Sequence, residues 1–356
     1  MLQLALLLLL VAAASGGGIP GISRIENLIT FGDSYTDEGR LQWFISHNGT
    51  APPPGTVIPT SNATASGGYT WPHFVSQEIN ATTYNYAVSG AVCSNELISR
   101  YLASINGLYP SVIDYEIPAF LADVEYSSST NSGDKLFRSR RADNTIYTLW
   151  IGTNDLGNGG YLRDTQRAGT TISDYVDCVW STFDGIYGAG GRHFVLFNQA
   201  PLDKSPLYAA PQNGGVGDTS YWANKTAYNA TEIEQKMLEY TTTVNTVYAY
   251  GAPFQLLVRS RWPGASVMIF DVHRLLSDVY EDPSAYLDAP ANATGYYYWC
   301  PYPRTAGSEC EPSEHPLSSF LWYDELHPSP KTDEIIAAEF VNLLSGNSSY
   351  GIYYNS

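Results

Sequence analysis

Charge is scarce in this chain, and positive charge scarcer still. Only 15% of the 356 residues are charged, with 18 Lys and Arg against 35 Asp and Glu, a formal net charge of −17. That balance excludes nucleic acid and anionic membrane surfaces as partners, because both repel it. Neither a Cys-x-x-Cys nor a His-x-x-x-His spacing occurs, so no metal site is expected. G-x-S-x-G is missing too, which argues against the nucleophile elbow of the usual α/β-hydrolases. There is no internal repeat and no long low-complexity tract. Beyond residue 14 no apolar run is long enough to cross a bilayer, and the polar, aromatic tail 346–356 carries no lipid-anchor signal.

What is present begins with a short apolar leader. Leu2 to Ala14 reads LQLALLLLLVAAA, too short to span a membrane and followed by small residues. It predicts a signal peptide over 1–14 with cleavage after Ala14, although no Lys or Arg precedes the run. The full chain is 44% hydrophobic, and the remainder, 15–356, is expected to form a single secreted domain. Asn-X-Ser/Thr acceptors at Asn48, Asn62, Asn80, Asn224, Asn229, Asn292 and Asn347 predict glycosylated surface loops. Four cysteines suit two disulfides in an oxidising compartment. Cys300 and Cys310 flank a loop-like segment and are expected to pair, leaving Cys93 with Cys178.

Five short apolar runs read as buried strands: 28–31, 84–88, 146–151, 194–197 and 267–270. Helical periodicity occupies 174–187, 231–250 and 332–344, with Gly251 and Pro253 expected to end the second. Strand–helix alternation predicts an α/β fold with a parallel sheet covered on both faces. Ligands of such sheets sit beyond the carboxyl ends of the strands. The first run ends at Gly32-Asp33-Ser34 and the third at Gly152-Thr153-Asn154-Asp155. The segment 43–66, with three consecutive prolines, reads as a surface insertion.

Ser34 at a strand end is, taken alone, more often a helix cap than a nucleophile, since its hydroxyl needs a base. Asp324 and His327, three apart, can form an acid–base pair within one turn. His273, two residues after Asp271 and just past the fifth strand, is the best rival base among the other histidines, His47, His73, His193 and His315. A developing oxyanion needs fixed donors, and the N–H of Gly90 and the amide of Asn154 are candidates.

Four blocks in order change this balance: FGDSYTDEG (31–39), NYAVSGA (85–91), GTND (152–155) and YDELHP (323–328). With them the chain resembles the SGNH, or GDSL-type, esterase superfamily. The resemblance implies a three-layer α/β/α fold around a mainly parallel five-stranded, flavodoxin-like sheet. It further implies Ser34 as nucleophile, His327 as base and Asp324 as its orienting acid. The oxyanion hole would be formed by the Ser34 and Gly90 N–H groups and Asn154, with no cofactor. Tyr35 departs from the Leu of the family's namesake motif, at a position that is not catalytic there. FGDSYTDEGR, GGYTWPHF and LWIGTNDLG look most like the fungal acetylesterases of carbohydrate esterase family sixteen. The substrate so implied is an acylated carbohydrate, such as acetylated xylan oligosaccharides, or another small ester. A lipase or carboxylesterase for longer acyl chains and an inert glycan-binding protein are the alternatives. Trp43, Tyr69 and Trp71 are candidates for a sugar platform or for core packing.

Overall fold

The computed structural model describes Ile22 and residues 24–129, 136–137, 139–305 and 307–356. The leader over 1–14 lies outside the described residues. The apolar runs become β1 (Asn27–Gly32), β2 (Thr82–Asn85), β3 (Thr145–Trp150), β4 (His193–Phe197) and β5 (Ser266–Phe270). Every position of β1, β3, β4 and β5 is buried, which is why each reads as a continuous apolar run rather than an alternation. The five are parallel in the order β2-β1-β3-β4-β5, the flavodoxin-like order.

The expected five-stranded sheet has a sixth strand. β6 (Gly351–Asn355) runs antiparallel along β5 at the sheet edge. Its residues are half-buried or exposed, so it lacks the apolar run by which the inner strands were recognised. β2 also begins and ends earlier than expected. Tyr86 and Val88 follow it out of the ladder, though their N–H groups still bond the carbonyls of Thr30 and Gly32 at 2.8 and 3.0 Å.

The helices are α1 (Arg40–Ser46), α2 (Trp71–Ile79), α3 (Ile117–Ser129), α4 (Thr153–Leu156), α5 (Ile172–Gly188), α6 (Ala230–Pro253), α7 (Val272–Glu281) and α8 (Pro330–Leu344). The supposed insertion 43–66 therefore starts inside α1. Trp71 of α2 and Phe340 of α8 cover one face of the sheet, with centroids 4.7 and 5.4 Å from Phe197. Trp71 is wholly buried and so belongs to the core, not to a sugar platform. Phe120 of α3 covers Phe31 and Tyr147 on the other face, at 5.6 and 5.9 Å, and Phe183 of α5 stacks on Phe194 at 5.1 Å. Tyr248 of α6 meets Trp180 of α5 at 5.7 Å, completing that layer.

Local chemistry explains the helix ends. A capping box between Thr171 and Asp174 starts α5, and Asn229 caps α6 through the N–H groups of Thr231 and Glu232. α6 passes Gly251 and ends at Pro253, later than expected, and a π-helical turn over Phe254–Val258 follows. Proline has no N–H for the carbonyl four residues back. That carbonyl, of Ala249, instead accepts the Tyr354 hydroxyl of β6 at 3.2 Å.

Both disulfides are present, Cys93–Cys178 and Cys300–Cys310. The first ties the loop after β2 to α5. Among the sequon asparagines six are exposed, while Asn292 is half-buried and its side-chain oxygen accepts the Gly295 N–H at 2.7 Å. Removing Cys93–Cys178, which spans 85 residues, should lower the unfolding free energy by roughly 2–5 kcal/mol, and more than removing Cys300–Cys310, which spans 10. Denaturant titration of the two Cys→Ala pairs checks the order; equal losses would refute it.

Candidate active site

The nucleophile candidate is placed by a glycine. β1 ends at Gly32, whose φ is +146° and where a Cβ would stand 2.2 Å from the Trp150 carbonyl oxygen of β3. Only glycine fits such an approach. Its N–H donates to Glu116 Oε2 at 3.0 Å. The chain then turns: Asp33 Oδ1 accepts the Tyr35 N–H at 3.1 Å, and the Asp33 carbonyl accepts the N–H groups of Thr36 and Asp37, both at 3.0 Å. Ser34 stands on this turn, beyond the carboxyl end of the sheet.

The acid–base candidates arrive on a separate loop, between a short strand, Phe320–Trp322, and α8. Asp324 Oδ1 accepts the N–H groups of Leu326 and His327 at 2.9 and 2.8 Å, closing the turn around its own carboxylate. The same carboxylate accepts His327 Nδ1–H, at 2.9 Å to Oδ1 and 3.0 Å to Oδ2. The other ring nitrogen, Nε2, lies 2.8 Å from Ser34 Oγ. Tyr35 joins the two loops, its hydroxyl donating to the Leu326 carbonyl at 2.8 Å and its ring standing edge-on to the imidazole at 5.8 Å. Burial opposes a charged His327, but the adjoining Asp324 carboxylate prevails and raises its pKa above the usual 6.5. Burial likewise opposes the Asp324 anion, and the His327 contact prevails to lower its pKa.

His273 is elsewhere. It lies in α7 with Nδ1 3.1 Å from the Gln199 carbonyl, and Asp271 accepts the Arg274 N–H as the cap of that helix. Neither touches Ser34.

Gly90 and Asn154 come to the same cavity as Ser34 and His327, a space of about 410 Å³. Among the described residues neither the Ser34 nor the Gly90 N–H has a protein partner. Gly90 has φ +84°, and a Cβ there would lie 2.6 Å from the Tyr109 ring. Its carbonyl accepts from the Arg100 guanidinium. Asn154 Nδ2 donates to the Ala91 carbonyl at 2.8 Å, which fixes the amide and leaves its second hydrogen available. The remaining lining is mixed: Leu41, Ala65 and Leu326 are aliphatic, whereas Ser89, Ser220, Arg100, Tyr109 and Tyr221 are polar or aromatic.

Sequence reasoning missed several members. Asp37 Oδ2 accepts the Ser89 N–H at 2.8 Å and so sets the loop carrying Gly90. Asp155 Oδ1 accepts the Cys93 N–H at 2.9 Å beyond that loop. Both lie inside the recognised blocks, so their positions were marked but not their task. Arg100, Tyr109 and Tyr221 carried no local signal. Of the proposed sugar platform, Trp43 stacks on His47 at 3.9 Å and Tyr69 on His73 at 3.7 Å, and neither lines the cavity.

An acetylesterase from Hypocrea jecorina is 50% identical over 327 residues, covering 92% of this chain and 91% of that one. An acetylesterase from Thermothelomyces thermophilus is 28% identical over 197 residues, 52% of this chain and 58% of that one. An acetylxylan esterase from Geobacillus stearothermophilus superposes loosely, with a TM-score of 0.42 and 14% identity over 91% of this chain and 96% of that one. The pattern of the GDSL-like lipase/acylhydrolase family matches residues 28–340, from β1 into α8, and the chain belongs to that family of carboxylic ester hydrolases.

Proposed function

We propose that this chain is a secreted acetylesterase acting on acetylated carbohydrates, with Ser34, His327 and Asp324 as its catalytic triad. The observation that carries the reading is the line Ser34 Oγ–His327 Nε2 at 2.8 Å and His327 Nδ1–Asp324 at 2.9 Å. His327 takes the Ser34 proton as the oxygen attacks the ester carbonyl. Asp324 keeps the proton on Nδ1, so that Nε2 is free to act as base, and stabilises the imidazolium that forms. The Ser34 and Gly90 N–H groups and the Asn154 amide receive the oxyanion. The imidazolium gives that proton to the sugar oxygen as the ester C–O bond breaks, so the sugar leaves as its alcohol. Water, activated by His327, then releases acetate from Ser34.

Three features support the substrate class. The closely similar Hypocrea jecorina protein is an acetylesterase. Only three aliphatic side chains line the cavity, so among the described residues it offers no long apolar groove for a fatty acyl chain. The net charge of −17 suits neutral substrates over anionic surfaces. Secretion is supported by two disulfides and the exposed sequons, which belong to an oxidising, glycosylating route. Acetylated xylo-oligosaccharides are the substrates to test first.

Ser34→Ala should lower kcat by more than roughly a thousandfold with its circular dichroism unchanged; a variant with a few per cent of full turnover would sink the triad. Asn154→Ala should cost about 10²–10³ in kcat, the usual loss for one oxyanion donor. Because His327 must be neutral to act as base and its pKa is raised, kcat/KM should fall as the pH drops through a value above 6.5. A pH profile flat down to pH 5 would contradict the assignment. Acetate release from acetylated xylo-oligosaccharides, set against acetyl and decanoyl esters of one chromophore, tests the substrate; faster turnover of the decanoyl ester would favour a lipase.

A further inference from the structure

Tyr221 belongs to the long connection between β4 and α6, far in sequence from all four recognised blocks. Its hydroxyl donates to Asp324 Oδ2 at 2.7 Å and lies 3.4 Å from His327 Nδ1. Its ring inclines over the imidazole at a centroid distance of 5.6 Å. The residue as a whole is 39% exposed and forms part of the cavity wall.

Its position is not accidental to a wandering loop. Lys225 Nζ donates to the Val216 carbonyl at 2.6 Å, and Asp218 Oδ1 accepts the Thr226 N–H at 2.8 Å, closing the loop on itself. Trp222 is buried beneath it. The Tyr221 carbonyl accepts Asn158 Nδ2 at 2.7 Å, four residues after Asn154. The loop is thereby keyed to the element that carries the oxyanion amide, while its phenol reaches the acid of the triad.

We propose that Tyr221 is a positioning residue of the catalytic apparatus that sets the strength of Asp324 as partner to His327. The proposal rests on the triad reading above. Oδ1 of Asp324 accepts two backbone N–H groups as well as His327 Nδ1–H, whereas among the described residues Oδ2 meets only His327 Nδ1 and the Tyr221 hydroxyl. A hydrogen bond from a neutral phenol draws charge from the carboxylate and restrains its rotation. Burial holds the phenol far above the ordinary tyrosine value, so it stays protonated and remains a donor. The other groups facing the pair are Asp33, Glu325 and Tyr35 near the imidazole, and Tyr296 and Tyr323 near the carboxylate. None of them is hydrogen-bonded to Oδ2 among the described residues.

The sign follows. Without the phenolic donor, Asp324 presents more negative charge to His327 and stabilises its imidazolium further. The acid limb of kcat/KM then moves to higher pH. In Tyr221→Phe, which keeps the ring, kcat should fall about tenfold, the scale of one hydrogen bond to an ionised group. The acid limb should rise by roughly half to one pH unit, with KM for an acetyl ester within about twofold. Tyr221→Ala removes the cavity wall as well and should raise KM in addition. A Phe variant with native kcat and an unmoved profile overturns the proposal, as does a lower kcat with no pH shift, which would mean packing alone. Ser34→Ala, measured alongside, separates the failures. An inactive Ser34 variant with an unchanged Tyr221→Phe profile overturns the Tyr221 assignment by itself, whereas an active Ser34 variant overturns the triad and Tyr221 together.

Discussion

A buried carboxylate accepting backbone N–H groups from a loop is the interaction on which this active site depends. Asp37 takes the Ser89 N–H, Asp155 the Cys93 N–H, Glu116 the Gly32 N–H and Asp324 those of Leu326 and His327. The first three bonds fix segments at the carboxyl edge of the sheet, and the last closes the turn before α8. A carboxylate suits the task because it accepts several donors, and a charge-assisted bond in a poorly solvated site is strong. Desolvation is the opposing cost. Asp155 is raised to about 7 by burial, and Glu116 well above its usual value. Among the described residues Asp155 Oδ2 and Glu116 Oε1 have no hydrogen-bond partner, so neither carboxyl is fully compensated there as an anion. Asp324 differs because a potential cation, His327, adjoins it, and its pKa falls instead.

The same arrangement explains how loops from distant parts of the chain keep a common geometry. Ser34 follows β1, Gly90 follows β2 and Asn154 follows β3, and these three strands are adjacent in the sheet. Parallel pairing therefore brings Ser34, Gly90 and Asn154 to one edge of the sheet. His327 does not come from a strand of that sheet. It is carried by the turn before α8, and α8 is held against α2 and β4 through Phe340, Trp71 and Phe197. Ser329, which caps α8 through the Thr332 N–H, also donates to the Phe320 carbonyl, so the helix start and the Asp324 loop are one unit. Aromatic packing across the sheet thus helps set the distance between His327 and Ser34.

Much of this was written locally. The inner strands were legible because both their faces are covered and their residues are apolar without interruption. The helices expected from 174, 231 and 332 begin one or two residues earlier, where Thr171, Asn229 and Ser329 accept first-turn N–H groups. The Asp324–His327 pair was legible for a similar reason, since three residues of one turn bring acid and base together without help from the rest of the chain. β6 was not legible: an edge strand with one flank in solvent needs no apolar run, and its tyrosines find partners on other elements. The end of α6 was misjudged because the acceptor left over by Pro253 is satisfied by a hydroxyl about a hundred residues away.

The sequence by itself therefore determined the inner strands and the local pairing of Asp324 with His327, since each depends on side chains within a few positions. Tertiary structure alone decided which histidine faces Ser34. Both His273 and His327 have an aspartate close by, and only the packing of α7 and α8 sends one to the Gln199 carbonyl and the other to the serine hydroxyl. It alone placed Tyr221 on Asp324, across 103 residues of chain. A contact at that separation is fixed by the positions of whole elements, and no local pattern of residues encodes it.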